Sequence, residues 1–204
     1  MISFDFTADY ILEDEVVCLR PLLTTDFEYL LEYSINEPDI WKFNSGGAAG
    51  AENLKKYIDT AVKHRLEAKE YPFIVFDKRT NKYIGATRFY NIDEERKIIE
   101  IGFTWYGKAY QGTGINKNCK YLLFDFAFGK LNMERIGLGA NSLNERSINA
   151  MKAVGCTVEG IMRSRGYNAD GERIDSIFLS ILKSEWLNEW RDKLESKTLK
   201  IAVQ

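Results

Sequence analysis

The sequence predicts an α+β fold: a mixed, mostly antiparallel sheet flanked by helices, with one parallel βαβ unit. Two observations predict it. Three strand-like runs follow one another between residues 71 and 107 with only short turns between them, as antiparallel neighbours do. A helical stretch then separates the third run from a further strand, and the chain goes on through a short helix to a hairpin.

Taken in order, EVVCLRPL alternates enough for a first strand, ended by Pro21. TTDFEYLLEYSIN opens on a Thr/Asp capping cluster and spaces Phe27, Leu30, Leu31 and Ile35 as a helix does. SGGAAGAEN is a Gly- and Ala-dense loop, on the surface or facing a substrate. ENLKKYIDTAVKHRLEAKE is an amphipathic helix. YPFIVFD and YIGATRFYNID are strands joined by a turn around KRTNK, and the run DEER turns the chain into KIIEIGFTWYG. The next helix carries Ile115, Cys119, Leu122, Leu123, Phe126 and Ala127 on one face and is expected to stop at Gly129. ERIGLGAN is a short strand, NERSINAMKAVG a short helix closed by Gly155, and the run from Thr157 to Leu182 a hairpin turning at NADG. That makes about seven strands. No repeat or linker interrupts the chain, so residues 1–204 are expected to form a single domain.

Composition narrows the function. Twenty-eight basic residues against 30 acidic ones give a formal net charge of -2, which argues against a general nucleic-acid binder. No apolar run reaches the roughly 18 residues of a membrane span. The start, MISFDFTADYILEDE, is acidic and lacks a signal-peptide layout. Cys18, Cys119 and Cys156 form no CxxC pair, so no metal is expected, and their odd number fits a reducing cytoplasm. Cys119 lies on an apolar helix face and reads as core rather than nucleophile. The lone His64 stands in a charged helix and reads as a solvated residue.

The segment YQGTGINKN places two glycines where a strand hands over to a helix. A helix start offers unpaired N–H groups and positive partial charge, and glycine lets an anion approach the backbone. Lys117 and Lys120 on the first turns add charge. The segment is no Walker loop, since no Gly-Lys-Ser/Thr follows, and no full GxGxxG, since Lys117 holds the third glycine position. Taken alone, the turn reads equally well as a structural one.

Its surroundings add a second block. The chain reads Gln111-Gly112-Thr113-Gly114-Ile115-Asn116, then Asn144, Ser147, Lys152, Gly155, Cys156, Glu159 and Gly160. Together these resemble the GCN5-related N-acetyltransferases, over a stretch from CLRPL to SEWLNEW, and most closely the RimJ/RimL-like branch that acetylates protein N-termini. Two departures stand out: Asn116 replaces a small residue and Cys156 a Phe. Neither removes a backbone donor.

The resemblance implies acetyl-CoA as cosubstrate, a GNAT fold, and direct attack of a neutral amine on the thioester. It implies that backbone N–H groups from Gln111 to Asn116 hold the pyrophosphate. Phe103, Thr104 and Trp105 would run beside the pantetheine and polarise the thioester carbonyl. Asn144 would hold the pantetheine arm, and Ser147 would lie near the sulfur. Glu100 is the candidate base, with an outward-facing strand carboxylate as its plainer reading. Tyr106, Tyr110 or Ser147 would protonate the leaving thiolate. A protein α-amine is roughly 10–15% neutral at pH 7 and a lysine ε-amine only about 0.04%, so the first acceptor asks less of the enzyme.

Trp41 and Phe43 either line the acceptor mouth or pack the core; Arg88 and Tyr90 face either acceptor or solvent. The expected acceptor is a protein N-terminus. Two alternatives stay open: a small-amine acceptor such as a polyamine, for which the loops offer Glu37, Asp39 and Glu52, and a catalytically weak acyl-CoA-binding module. A homodimer is plausible by resemblance.

Overall fold

The computed structural model of the chain describes residues 4–43, 47–168 and 171–200. Parts of two predicted loops, at Ser45–Gly46 and Ala169–Asp170, therefore lie outside the described residues. The rest forms one eight-stranded sheet in the order β1-β2-β3-β4-β5-β6-β8-β7. Its strands are β1 (Leu12–Glu13), β2 (Val17–Pro21), β3 (Glu70–Asp77), β4 (Lys82–Asp93), β5 (Ile98–Tyr106), β6 (Arg135–Asn141), β7 (Thr157–Tyr167) and β8 (Arg173–Leu182). All neighbours are antiparallel except β5 and β6, the parallel pair that the intervening helix requires.

Alternation splits the core between the two faces of the sheet. On β3, Ile74 packs with α1 (Phe27–Asn36) and α2 (Ala51–Leu66), beside Ala86 and Trp105. Its neighbours Phe73 and Val75 join the opposite cluster, with Phe89, Ile99 and Ile101 and the buried stripe Ile115, Cys119 and Leu123 of α3 (Ile115–Asp125). Cys119 is buried, and burial pushes its thiol up to about 12, as suits an inert core residue.

Two expectations are corrected and one element is added. The eighth strand is β1, two residues long and too short to show alternation. Gly129 does not stop its helix: Asp125 is followed by a π-helical turn, Phe126–Lys130, that runs through it. After Leu182 the chain is helical through α5 (Lys183–Glu185), a π turn at Trp186–Trp190 and α6 (Arg191–Glu195). Buried Trp186 docks this segment on the α3 face.

Gly155 does close α4 (Glu145–Ala153), at φ +100°. Its N–H donates to Lys152 O (3.1 Å) and the Cys156 N–H to Met151 O (3.1 Å), the two bonds of a Schellman motif.

Candidate active site

β5 and β6 share only three paired positions, Ile98–Arg135, Ile99–Ile136 and Glu100–Gly137. Beyond them β5 stays with β4 as far as Tyr106, and β6 stays with β8 as far as Asn141. The two strands part, leaving facing edges in the middle of the sheet whose amide groups lack a partner strand. A bulge marks the parting. Between the pairs Ala86–Trp105 and Arg88–Gly102, β4 has one residue and β5 has two, Phe103 and Thr104. Phe103 adopts φ +51° and is 42% exposed. A bulky residue in that region costs about 1–3 kcal/mol and marks a place where backbone amides are re-aimed.

The Gly-rich turn closes one end of this slot. Gly112 and Gly114 have φ +74° and +96°, and Gly114 is the left-handed residue that starts α3. Among the described residues no side chain caps α3, so the N–H groups of Ile115 and Asn116 keep their anion-binding capacity, while the Lys117 N–H donates to Gly114 O (2.8 Å). Thr113 Oγ1 donates to Tyr110 O (2.8 Å). The Gln111 amide nitrogen donates to Tyr106 O (2.7 Å), and its amide oxygen accepts from Arg146. The Gln111 side chain thus braces the turn and leaves ligand contact to the backbone. Asn116 accepts from the Tyr106 hydroxyl (3.2 Å), so its side chain is turned into the protein.

Across the slot, Asn144 starts α4 and its side-chain oxygen accepts from Ser147 N (3.1 Å). That leaves the Asn144 amide N–H groups for a ligand. Arg146, on the exposed first turn of α4, brings to the Gly-rich turn a positive charge that the sequence did not point to.

Lys120 departs from expectation. It is 4% exposed, and its ammonium donates to Thr104 Oγ1 (3.2 Å) beside the bulge instead of facing the turn. Burial, partly offset by Cys119 and Cys156, lowers its pKa to about 8.

The α2 face carries the remaining candidates. Glu100 pairs with Tyr90 across β4–β5 and lies over Gly137, where an added Cβ would stand 3.0 Å from Glu100 Cγ. Tyr90 faces Glu100; burial first, and that carboxylate second, push its phenol far up. Its ring stands edge-on to Phe103 at 5.4 Å. Arg88 is 3% exposed, lies over the rings of Phe103 (4.1 Å) and Tyr57 (4.8 Å), and donates to Glu70 (2.6 Å). His64 Nδ1 is 3.1 Å from the other Glu70 oxygen, so this histidine is half-buried and paired rather than solvated. Trp41 and Trp105 are both buried, with ring centroids 4.5 Å apart. Tyr110 lies against Tyr33, on the α1 side. Among the described residues no hydrogen bond joins any two of Glu100, Ser147 and Tyr110.

The model for the acetyltransferase (GNAT) domain matches residues 17–157, well over half of the chain. The chain is 28% identical over 173 residues to "Uncharacterized N-acetyltransferase p20" of Bacillus licheniformis, covering 84% of this chain and 96% of that protein. It is 31% identical over 105 residues to "Putative ribosomal N-acetyltransferase YdaF" of Bacillus subtilis (strain 168), covering 52% and 56%. In fold it is similar to a GCN5-related N-acetyltransferase from Brucella melitensis, at a TM-score of 0.85 and 23% identity over 94% of this chain and 86% of that one.

Proposed function

The chain belongs to the GNAT acetyltransferase family and is an acetyl-CoA-dependent N-acetyltransferase, and on that premise we propose that its acceptor is a protein N-terminal α-amine. The observation that carries the site assignment is the parting of β5 and β6 beside a Gly-rich helix start. An extended, amide-bearing pantetheine arm suits the unpaired edges as an added strand would. The backbone from Gln111 to Asn116 would receive the pyrophosphate, with Arg146 beside it, and the Asn144 amide would meet the arm. The backbone of Phe103, Thr104 and Trp105 would polarise the thioester carbonyl. An oxyanion-type donor of this kind contributes about 3–4 kcal/mol to the transition state.

Glu100 would take the proton of the attacking amine. It shares the α2 face with Phe103, and Tyr90 beside it remains a protonated hydrogen-bond donor. Protonation of the departing thiolate falls to Ser147 or Tyr110, with Ser147 the better placed on the slot side. Two features favour an N-terminal amine over a polyamine. The YdaF relative is named for a ribosomal acceptor. Glu37 and Asp39, two acids a polycation pocket would use, are bonded to Lys108 instead. A cytoplasmic homodimer completes the reading; sedimentation velocity at micromolar concentration tests the dimer.

The deciding experiment incubates the protein with acetyl-CoA and a panel of N-terminal peptides. Acetylated peptide by mass spectrometry is expected; acetylation of spermidine alone would replace the acceptor assignment.

A further inference from the structure

Among the described residues, three buried N–H donors on the α2 face have no hydrogen-bond partner: Trp41 Nε1, Trp105 Nε1 and Arg88 Nε. Their residues are 2%, 4% and 3% exposed. They form one continuous cluster. The two indoles touch at 4.5 Å, Trp41 reaches the Tyr57 ring at 6.0 Å, and Arg88 lies over that same ring at 4.8 Å. Sheet register holds the cluster at the bulge, since Trp105 pairs with Ala86 and Arg88 with Gly102 on either side of Phe103 and Thr104.

A buried donor left unpaired costs about 1–3 kcal/mol, and folded proteins tolerate few of them. The concentration of such atoms beside the bulge points to a ligand that completes them. The three are donors only. Their complement is therefore an oxygen acceptor and not another amine.

We propose that Trp41, Trp105 and Arg88 form an acceptor subsite that reads a carbonyl or carboxylate oxygen next to the amine to be acetylated. The acceptor is then an α-amino acyl compound, the head of a peptide or a free amino acid, and not a polyamine. This rests on the N-acetyltransferase reading of the slot and adds to it a rule for acceptor choice. Glu100 on the same face suits the amine, and the three donors suit the oxygen one carbon away. A polyamine carries nothing for the indoles or for Arg88 Nε to donate to, so binding it would leave all three unpaired.

The test uses the full chain, labelled with 15N and saturated with CoA, so that no turnover intervenes. The four tryptophans, Trp41, Trp105, Trp186 and Trp190, give four indole N–H signals, assigned with single Trp→Phe variants. The probes are an alanyl tetrapeptide amide, the same peptide with its first C=O reduced to CH2, free alanine, and spermidine. The Trp41 and Trp105 signals are expected to move with the intact peptide or with alanine, and to stay in place with the reduced peptide and spermidine. The ratio of the two affinities tells peptide from amino acid. Trp41→Phe should weaken binding of the intact probe about three- to tenfold and leave CoA affinity unchanged. Equal movement with the reduced peptide or spermidine, or no movement with any probe, overturns the subsite. Peptide-induced movement without acetyl transfer in a separate turnover assay would overturn the enzymatic reading and leave the subsite standing.

Discussion

Single residues carry the sharpest expectations. The unfolded chain holds the Lys120 proton to its ordinary 10.5, the folded chain only to about 8. Between these values the unfolded state binds more protons, so stability rises with pH from about 8 to about 10.5; below 8 the cost of the buried charge is present in full. Lys120→Met removes that cost. It should raise stability at pH 7 by at most about 3 kcal/mol and flatten the alkaline rise, as read from urea midpoints at pH 7 and 9.5. At the Gly-rich turn, Gly112 has open space around its Cα, whereas a Cβ on Gly114 would meet Leu199 at 3.3 Å. Gly112→Asp, compared with Gly112→Asn, therefore isolates charge from strain. The carboxylate should weaken CoA binding more than tenfold by calorimetry, with similar melting temperatures for the two variants. Glu100→Gln should lower kcat about 100-fold at pH 7 and recover in part by pH 9, where the α-amine is mostly neutral; a pH-independent loss would remove its role as base. The glycines and Asn144 were legible because their backbone roles are written in residue type. Lys120 and Glu70 were not, because a charged side chain reads as solvent-facing until tertiary contacts bury it.

At the scale of elements, α4 does two jobs from one residue. Asn144 caps the helix through its side-chain oxygen, and in the proposed site its amide nitrogen would meet the cosubstrate. Asn144→Asp retains the cap and loses the donor, while Asn144→Ala loses both. The aspartate variant is expected to melt within a degree or two of the parent yet bind CoA more weakly; the alanine variant should also lose about 1 kcal/mol of stability. Equal CoA affinity in all three proteins would remove Asn144 from the site. Helix and strand positions were readable from period and caps, including Gly155, whose left-handed φ the Schellman closure requires. Three elements were not. β1 is two residues long, and the helix after Leu182 announces itself mainly through Trp186, whose burial is tertiary. The bulge at Phe103 leaves no trace in composition, because its cause is the parting of two strands that lie distant in sequence.

At the scale of the molecule, the sheet is continuous through eight strands and yet crosses from β5 to β6 on three paired positions. Hydrogen exchange with and without CoA should show new protection in the β5 amides from Ile101 to Tyr106 and in β6 from Leu138 to Asn141, with little change in β2 and β3. At 100 times Kd the cosubstrate adds about 2.7 kcal/mol of stability. The topology was predictable from the crossover rule; the divergence was not, since nothing in either strand declares which neighbour it will leave. It also bears on how the chain assembles. From β1 to β5 every strand pairs with the one before it in sequence, so this half needs no residue beyond Tyr106 to complete its ladder. A refolding chain should protect β2 to β4 before β6 and β8, since their ladder is built from sequence neighbours, an order that pulsed deuterium labelling reads directly. On that order the joint between β5 and β6 would close late, after α3 has formed and brought the second half round. The part of the sheet joined last on that order would then be the part whose edges stay unpaired, the place the proposed cosubstrate would fill.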